Sequence, residues 1–262
     1  MPFVDVNGQH IYYEDTGGPG PAIVFSHGFA MDQDMFAAQV AAMRDSFRCI
    51  TWDYRDHGQT RGDGQPYAVQ DLADDLAGLL ATLGISRAGV VGFSMGGWVS
   101  TRLALAHPEL VAAVAIVDSY ERMETPEVAA GYAQIKAALL EHGFNADMVA
   151  MLRGFLFGPD YDPSIWIGKW RARSPHLLAP GYDAMFGRND INDRLGEIRC
   201  PSIVLHGEHN PANGPEVSQE LADRLGACEG MTIVPGSGHT STVERPEFVN
   251  QTLRDFFERS LR

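Results

Sequence analysis

Residues 88–99 read AGVVGFSMGGWV. The first six form a short, nearly continuous apolar run, the pattern of a strand buried on both faces, and from Trp98 onward WVSTRLALA takes up the spacing of an amphipathic helix. Between them, Gly92, Ser94 and Gly96 keep the G-x-S-x-G spacing of a tight strand-to-helix turn. The glycines are needed there because a side chain would collide with neighbouring backbone. The turn holds the serine hydroxyl above the sheet, at the positive end of the following helix. A lone G-x-S-x-G arises often by chance. Set between a buried strand and an amphipathic helix, it marks Ser94 as a candidate nucleophile.

The rest of the chain repeats this alternation. AIVFS (22–26), RCITWD (48–53), VAAVAIVD (111–118), SIVLH (202–206) and MTIVP (231–235) read as further buried strands. Residues 35–43, 67–84, 216–226 and 246–261 read as helices, the second with a stripe of Leu72, Leu76, Leu79, Leu80 and Leu83. FVDVNGQHIYYED opens the chain with a hairpin signal at Asn7-Gly8. With the hairpin strands this predicts an α/β fold: a mainly parallel eight-stranded sheet with helices on both faces, binding its ligand outside the carboxyl ends of the strands.

The alternation fails between Tyr120 and Arg194, a stretch too long for a loop and helical in pattern, so a cap over residues 120–194 is expected, inserted in a core of 1–119 and 195–262. Its aromatics and Met, among them Tyr132, Phe144, Phe155, Phe157, Trp166, Trp170, Tyr182, Met185 and Phe186, are expected mostly to pack it. Together they imply an apolar pocket, for which Tyr120, Trp166 and Trp170 are the candidates.

At 262 residues and 45% hydrophobic content the chain can bury a full core as one domain. Its 34 acidic and 20 basic residues give a formal charge of −14, which repels phosphate backbones and anionic membranes, so neither nucleic acid nor a membrane is an expected partner. The N-terminus lacks the basic and apolar runs of a signal peptide, and a cytoplasmic location is expected. A homodimer stays open. Cys49, Cys200 and Cys228 are widely spaced and read as reduced thiols. His206, Glu208 and His209 show no further ligand, so no metal is expected.

Two other segments serve the same chemistry. Ser26-His27-Gly28-Phe29 follows a strand, and its glycine lets the Phe29 N–H point at the space above Ser94, where with the Met95 N–H it would form an oxyanion hole. Pro235-Gly236-Ser237-Gly238-His239 follows the last strand and places an imidazole at the same sheet edge. With HGF, DYRDHGQT, GFSMGG, CPSIVLHGE and GSGH in this order, the chain resembles the α/β-hydrolase superfamily over essentially its whole length. APGYDAMFGRNDINDRLGEIRCP is similar to the corresponding segment of enol-lactone hydrolases and non-haem perhydrolases. The resemblance implies a Ser–His–acid triad with Ser94 as nucleophile and His239 as base, attack on a carbonyl, and no cofactor.

Two positions depart from it. Asp56 stands where these families usually have Gly, and Asn210, in LHGEHNPANG (205–214), stands where the acid is usual. Asp118, ending the strand after the one that bears Ser94, is the replacement expected here, because some branches take their acid from that strand end; Glu208 is a weaker alternative, and a changed acid at 210 is another. The expected function is a serine hydrolase of small, fairly apolar esters, lactones or related carbonyl compounds, working through an acyl-enzyme on Ser94. Two other readings stay open: a cofactor-free ring-cleaving dioxygenase using His239 with Asp118, which the S-x-G-G-W-V elbow also resembles, and a binding protein whose triad is impaired at Asn210.

Overall fold

Asn7 and Gly8 both take positive φ, 49° and 79°, and close the hairpin between β1 (Phe3–Val6) and β2 (Gln9–Asp15). The computed structural model describes residues 2–261. Among them, β1 and β2 join β3 (Ala22–Ser26), β4 (Arg48–Trp52), β5 (Ala88–Phe93), β6 (Val111–Val117), β7 (Ser202–Gly207) and β8 (Cys228–Val234) in one eight-stranded sheet. Its order is β1-β2-β4-β3-β5-β6-β7-β8. β2 pairs antiparallel with β1 and β4, and all other pairs are parallel.

The helices are α1 (Ala37–Met43), α2 (Val69–Thr82), α3 (Met95–Ala106), α4 (Pro126–His142), α5 (Ala146–Leu156), α6 (Ser164–Ala172), α7 (Ala179–Phe186), α8 (Pro215–Arg224), α9 (Ser241–Glu244) and α10 (Pro246–Ser260). Successive strand residues point to opposite faces, and the core divides accordingly. Val24, Val90 and Val204 pack with residues of α2, α3 and α8, whereas Ile23, Phe25, Val91 and Phe93 pack with Met43 of α1 and with Val249, Leu253 and Phe257 of α10. Both faces are thus covered, and apolar residues at consecutive positions are what such strands require.

Between β6 and β7 the described residues form helices α4 to α7 and two 3-10 turns, with no strand. Thr125 and Asn145 start α4 and α5 by accepting from the N–H groups of Val128 and Met148. The two ends of this insertion are tied to each other and to α3. Arg188 holds both oxygens of Glu124, at 2.8 and 3.0 Å. Arg102 of α3 meets Glu121 at 3.4 Å and donates to the Asn189 carbonyl at 2.8 Å. Among the described residues no helix is long and apolar enough to cross a membrane.

Candidate active site

Ser94 joins β5 to α3 with φ 51° and ψ −115°, a conformation few non-glycine residues adopt. The turn closes that tightly only with glycine on either side. A Cβ on Gly92 would lie 2.2 Å from the Gly96 carbonyl oxygen, and one on Gly96 2.0 Å from the Ser26 carbonyl oxygen.

Two peptide groups beside Ser94 are aimed by bonds to their carbonyls. The Tyr54 N–H donates to His27 Nε2 at 3.1 Å, so Nδ1 carries the ring proton and donates it to the Gly28 carbonyl at 2.7 Å. In a trans peptide N–H and C=O point opposite ways, so the Phe29 N–H is turned away from His27. On the other side Ser119 Oγ and the Gly97 N–H both donate to the Ser94 carbonyl at 2.8 Å, which directs the Met95 N–H the opposite way. Among the described residues neither the Phe29 nor the Met95 N–H finds a protein acceptor.

His239 arrives on the loop after β8. Its Nε2 lies 3.1 Å from Ser94 Oγ and its Nδ1 3.1 Å from Asn210 Oδ1. The loop is pinned by Glu244 of α9, whose carboxylate accepts from the N–H groups of Gly238 at 3.0 Å and Thr240 at 3.1 Å, from Thr240 Oγ at 2.9 Å, and from the N–H of Gly158 just past α5 at 2.9 Å. Phe93 and Phe155 flank the imidazole at 5.2 and 6.1 Å between ring centroids. Burial pushes His239 down to about 3, with His206 adding a smaller push the same way, so the ring is neutral at physiological pH.

Asp118, at the end of β6, makes no bond to His239; Asn210 stands between them. The Asn210 Nδ2 group donates to Asp118 Oδ1 at 3.3 Å. Asp118 Oδ1 also accepts from the Gly207 N–H at 2.7 Å, and its Oδ2 accepts from the Ser241 N–H at 3.2 Å and Ser241 Oγ at 2.5 Å. The carboxyl is fully buried, and that burial pushes it up to about 7 against the lowering effect of these donors. Glu208 stays outside this chain: it is exposed and accepts from the Gly236 N–H at 2.8 Å.

Ser94 and His239 open into a cavity of about 170 Å³, walled by Phe29, Trp98, Tyr120, Tyr132, Phe155, Tyr182, Met185 and Phe186 and other apolar residues of α4 and α5. Among the described residues no Lys or Arg lines it. Tyr120 is where sequence reasoning expected it, but Trp166 and Trp170 are not in the wall. Both are buried instead on α6 within the insertion, where Trp170 Nε1 donates to the Ala30 carbonyl at 2.8 Å and Lys169 lies 4.8 Å over the Trp166 ring. Trp98, which the sequence reading passed over, occupies the wall; its indole N–H bonds the Tyr120 carbonyl and the Arg188 guanidinium stacks 4.0 Å above it. Its place on the first turn after the serine was the available signal. Ser241 and Glu244 were also missed, because nothing local distinguishes them from helix-start polar residues. No group of three or more His, Cys, Asp and Glu side chains among the described residues could hold a metal ion.

Comparison with known proteins agrees with this fold. A putative carbamate hydrolase, RutD, of Caulobacter sp. (strain K31) is 28% identical, over 94% of this chain and 95% of its own length. The crystal structure of the enol-lactonase from Burkholderia xenovorans LB400 superposes with a TM-score of 0.88 at 30% identity, covering 98% of this chain and 100% of that one. A thermophilic esterase from Thermogutta terrifontis does so with a TM-score of 0.88 at 26% identity, over 98% of each. The model of the alpha/beta hydrolase family matches residues 23–252, and the chain belongs to that family.

Proposed function

We propose that the protein is a serine hydrolase of small, uncharged, apolar esters, lactones or related carbonyl compounds. The observation that carries this reading is the hydroxyl of Ser94, 3.1 Å from a neutral imidazole nitrogen, on the floor of an apolar cavity beside two N–H groups without protein acceptors. His239 Nε2 takes the Ser94 proton as Oγ attacks the substrate carbonyl carbon. The oxygen that gains charge is held by the Phe29 and Met95 N–H groups, which form the oxyanion hole. The imidazolium then gives its proton to the leaving oxygen or nitrogen. Water enters, gives a proton to the same Nε2 as its oxygen attacks the acyl carbon, and the imidazolium returns that proton to Ser94 Oγ as the acid leaves. The helices over residues 120–194 act as the cap that excludes bulk water. The cavity is comparable to the apolar void of about 150 Å³ that accepts benzene, so the acyl or alcohol group it takes is about the size of one aromatic ring. The relatives' names, carbamate hydrolase, enol-lactonase and esterase, all describe cleavage next to a carbonyl.

Treatment with an alkyl fluorophosphonate followed by mass spectrometry should place one adduct on Ser94. Ser94→Ala should remove the adduct and lower p-nitrophenyl acetate turnover by a factor on the order of 10⁴ or more while leaving the fold intact. Undiminished turnover in that variant would overturn the reading, and oxygen consumption with a hydroxylated heteroaromatic compound would then identify the ring-cleaving alternative.

A further inference from the structure

The polar chain that starts at Ser94 continues past Asn210. We propose that Asp118 is the acid of the site and acts on His239 through the side-chain amide of Asn210, which serves as a positioning residue. This rests on the hydrolase reading above.

The direction of each bond in the chain is fixed by groups outside it. The Ala212 N–H donates to Asn210 Oδ1 at 2.9 Å, so this end of the amide is the oxygen and the other, facing Asp118, is the NH₂. An amide oxygen can only accept. His239 Nδ1, 3.1 Å away, must therefore carry the ring proton, which leaves Nε2 with a free lone pair toward Ser94 Oγ. That is the tautomer a serine nucleophile needs. An asparagine held by nothing could rotate and present its NH₂ to the imidazole, stabilising the wrong tautomer; Asp118 and Ala212 prevent this. At the far end Asp118 accepts four hydrogen bonds, from Gly207, Asn210 and both groups of Ser241, and donates none, which is the environment of an ionised carboxylate.

The second observation is electrostatic. Asp118 is fully buried, and among the described residues no Lys, Arg or His forms an ion pair with it. The nearby charge that acts on it, Glu244, has the same sign. A buried carboxylate without a counterion is costly. The imidazolium formed when His239 takes the Ser94 proton supplies that counterion during the reaction, one amide away and in a low-dielectric interior where the attraction is least screened. No proton travels along the chain: His239 keeps its own on Nδ1 and passes only those that Ser94 and the attacking water give to Nε2.

The test uses the full-length protein, Asp118→Asn, Asn210→Ala, Asn210→Asp and the double variant Asp118→Asn/Asn210→Asp. Two readouts are made: p-nitrophenyl acetate kinetics against pH, and ¹H–¹⁵N spectra of the histidine rings with Ser94→Ala and His239→Ala as assignment controls. Asp118→Asn and Asn210→Ala should each lower kcat by about 10²- to 10³-fold with KM nearly unchanged, somewhat less than the factor of about 10⁴ for an acid in direct contact with its histidine. The double variant puts a carboxylate directly against Nδ1 and should recover at least tenfold over Asp118→Asn, while Asn210→Asp with Asp118 intact should gain much less because an acid already serves His239; a purely structural Asp118 would give the same gain in both backgrounds. The active form is ionised, so kcat/KM in the wild type should fall as pH drops through about 7, the value to which burial pushes Asp118; that limb should be absent in the double variant. His239 is held down to about 3 by burial, with a smaller push from His206, and does not set the limb. The wild-type spectrum should show His239 protonated on Nδ1. Unchanged kcat in folded Asp118→Asn or Asn210→Ala, or no recovery in the double variant, would overturn the proposal. If the wild type shows no Ser94-dependent turnover, the hydrolase reading fails instead, and the spectra decide the relay alone: an Nε2-protonated His239 sinks it.

Discussion

Asp56, where the resemblance leads one to expect glycine, takes φ 62°, in the left-handed region that favours glycine. Asp visits that region more readily than most residues but still at a cost of roughly 1 kcal/mol relative to glycine. The side chain adds to the cost. It is 3% exposed, one carboxylate oxygen has no partner, and burial raises its pKa, only partly offset by the Gly62 N–H. Asp56→Gly should therefore stabilise the protein by about 1 kcal/mol, or about 2–4 °C in Tm for a chain of this size. The sign of the pH effect follows from the raised native pKa. Between the unfolded value near 4 and the native one the folded state binds more protons than the unfolded, so Asp56 costs stability progressively as pH rises. The gain from Asp56→Gly should accordingly be larger at pH 7 than at pH 4 in thermal melts. A lower Tm at both would mean that the carboxylate braces the 58–66 loop more than it strains it.

Helices α4 to α7 owe their position over Ser94 to clamps at the two ends of the insertion. Arg188 is wholly buried, meets Glu124 at 2.8 Å and stacks on Trp98, so one side chain joins both ends of the insertion to the wall of the cavity. Removing one partner leaves the other charge buried and unpaired, so Arg188→Met should cost about 3–5 kcal/mol in urea denaturation, and Arg188→Met/Glu124→Gln less than that. KM should rise in the single variant, because Trp98 and Tyr120 lose their support. None of these clamps is legible in the sequence, for Arg188 and Glu124 are 64 positions apart and carry no motif. What was legible was local: the buried strands, the Gly92–Ser94–Gly96 turn and the histidine after the last strand all declare themselves within about ten residues. The link between Asp118 and Asn210 is of the other kind. It depends on the parallel register that sets Val117 beside Leu205 and lets the Asp118 N–H bond the Leu205 carbonyl, and on the amide orientation that Ala212 fixes. The tryptophans divide in the same way. Composition marks Trp166 and Trp170 as readily as Trp98, and only packing decides which of them faces the cavity.

At the scale of the whole molecule, charge and cavity select the same substrates. The chain carries a formal charge of −14, which lowers the local concentration of anions at the surface. Apart from Ser94, Asp118, Ser119 and His239, the cavity is lined by aromatic and aliphatic residues, among the described residues without Lys or Arg, and the guanidinium behind its Trp98 wall, that of Arg188, is engaged by Glu124 and by the Arg122 and Met185 carbonyls. A substrate carboxylate would have to be buried there unpaired, at a cost of several kcal/mol. We therefore expect kcat/KM for the monoanionic ester of a short dicarboxylic acid to fall about 10²- to 10³-fold below that of the neutral methyl-capped ester of the same size. Salt separates the two causes. The long-range repulsion is screened within a Debye length of about 10 Å at 0.1 M ionic strength, whereas the desolvation cost inside the cavity is not. Raising ionic strength from 10 mM to 0.5 M should thus recover less than about tenfold of the gap. Full recovery would assign the selectivity to the surface charge alone, and equal rates for the two esters at low salt would mean that a cation reaches the bound substrate.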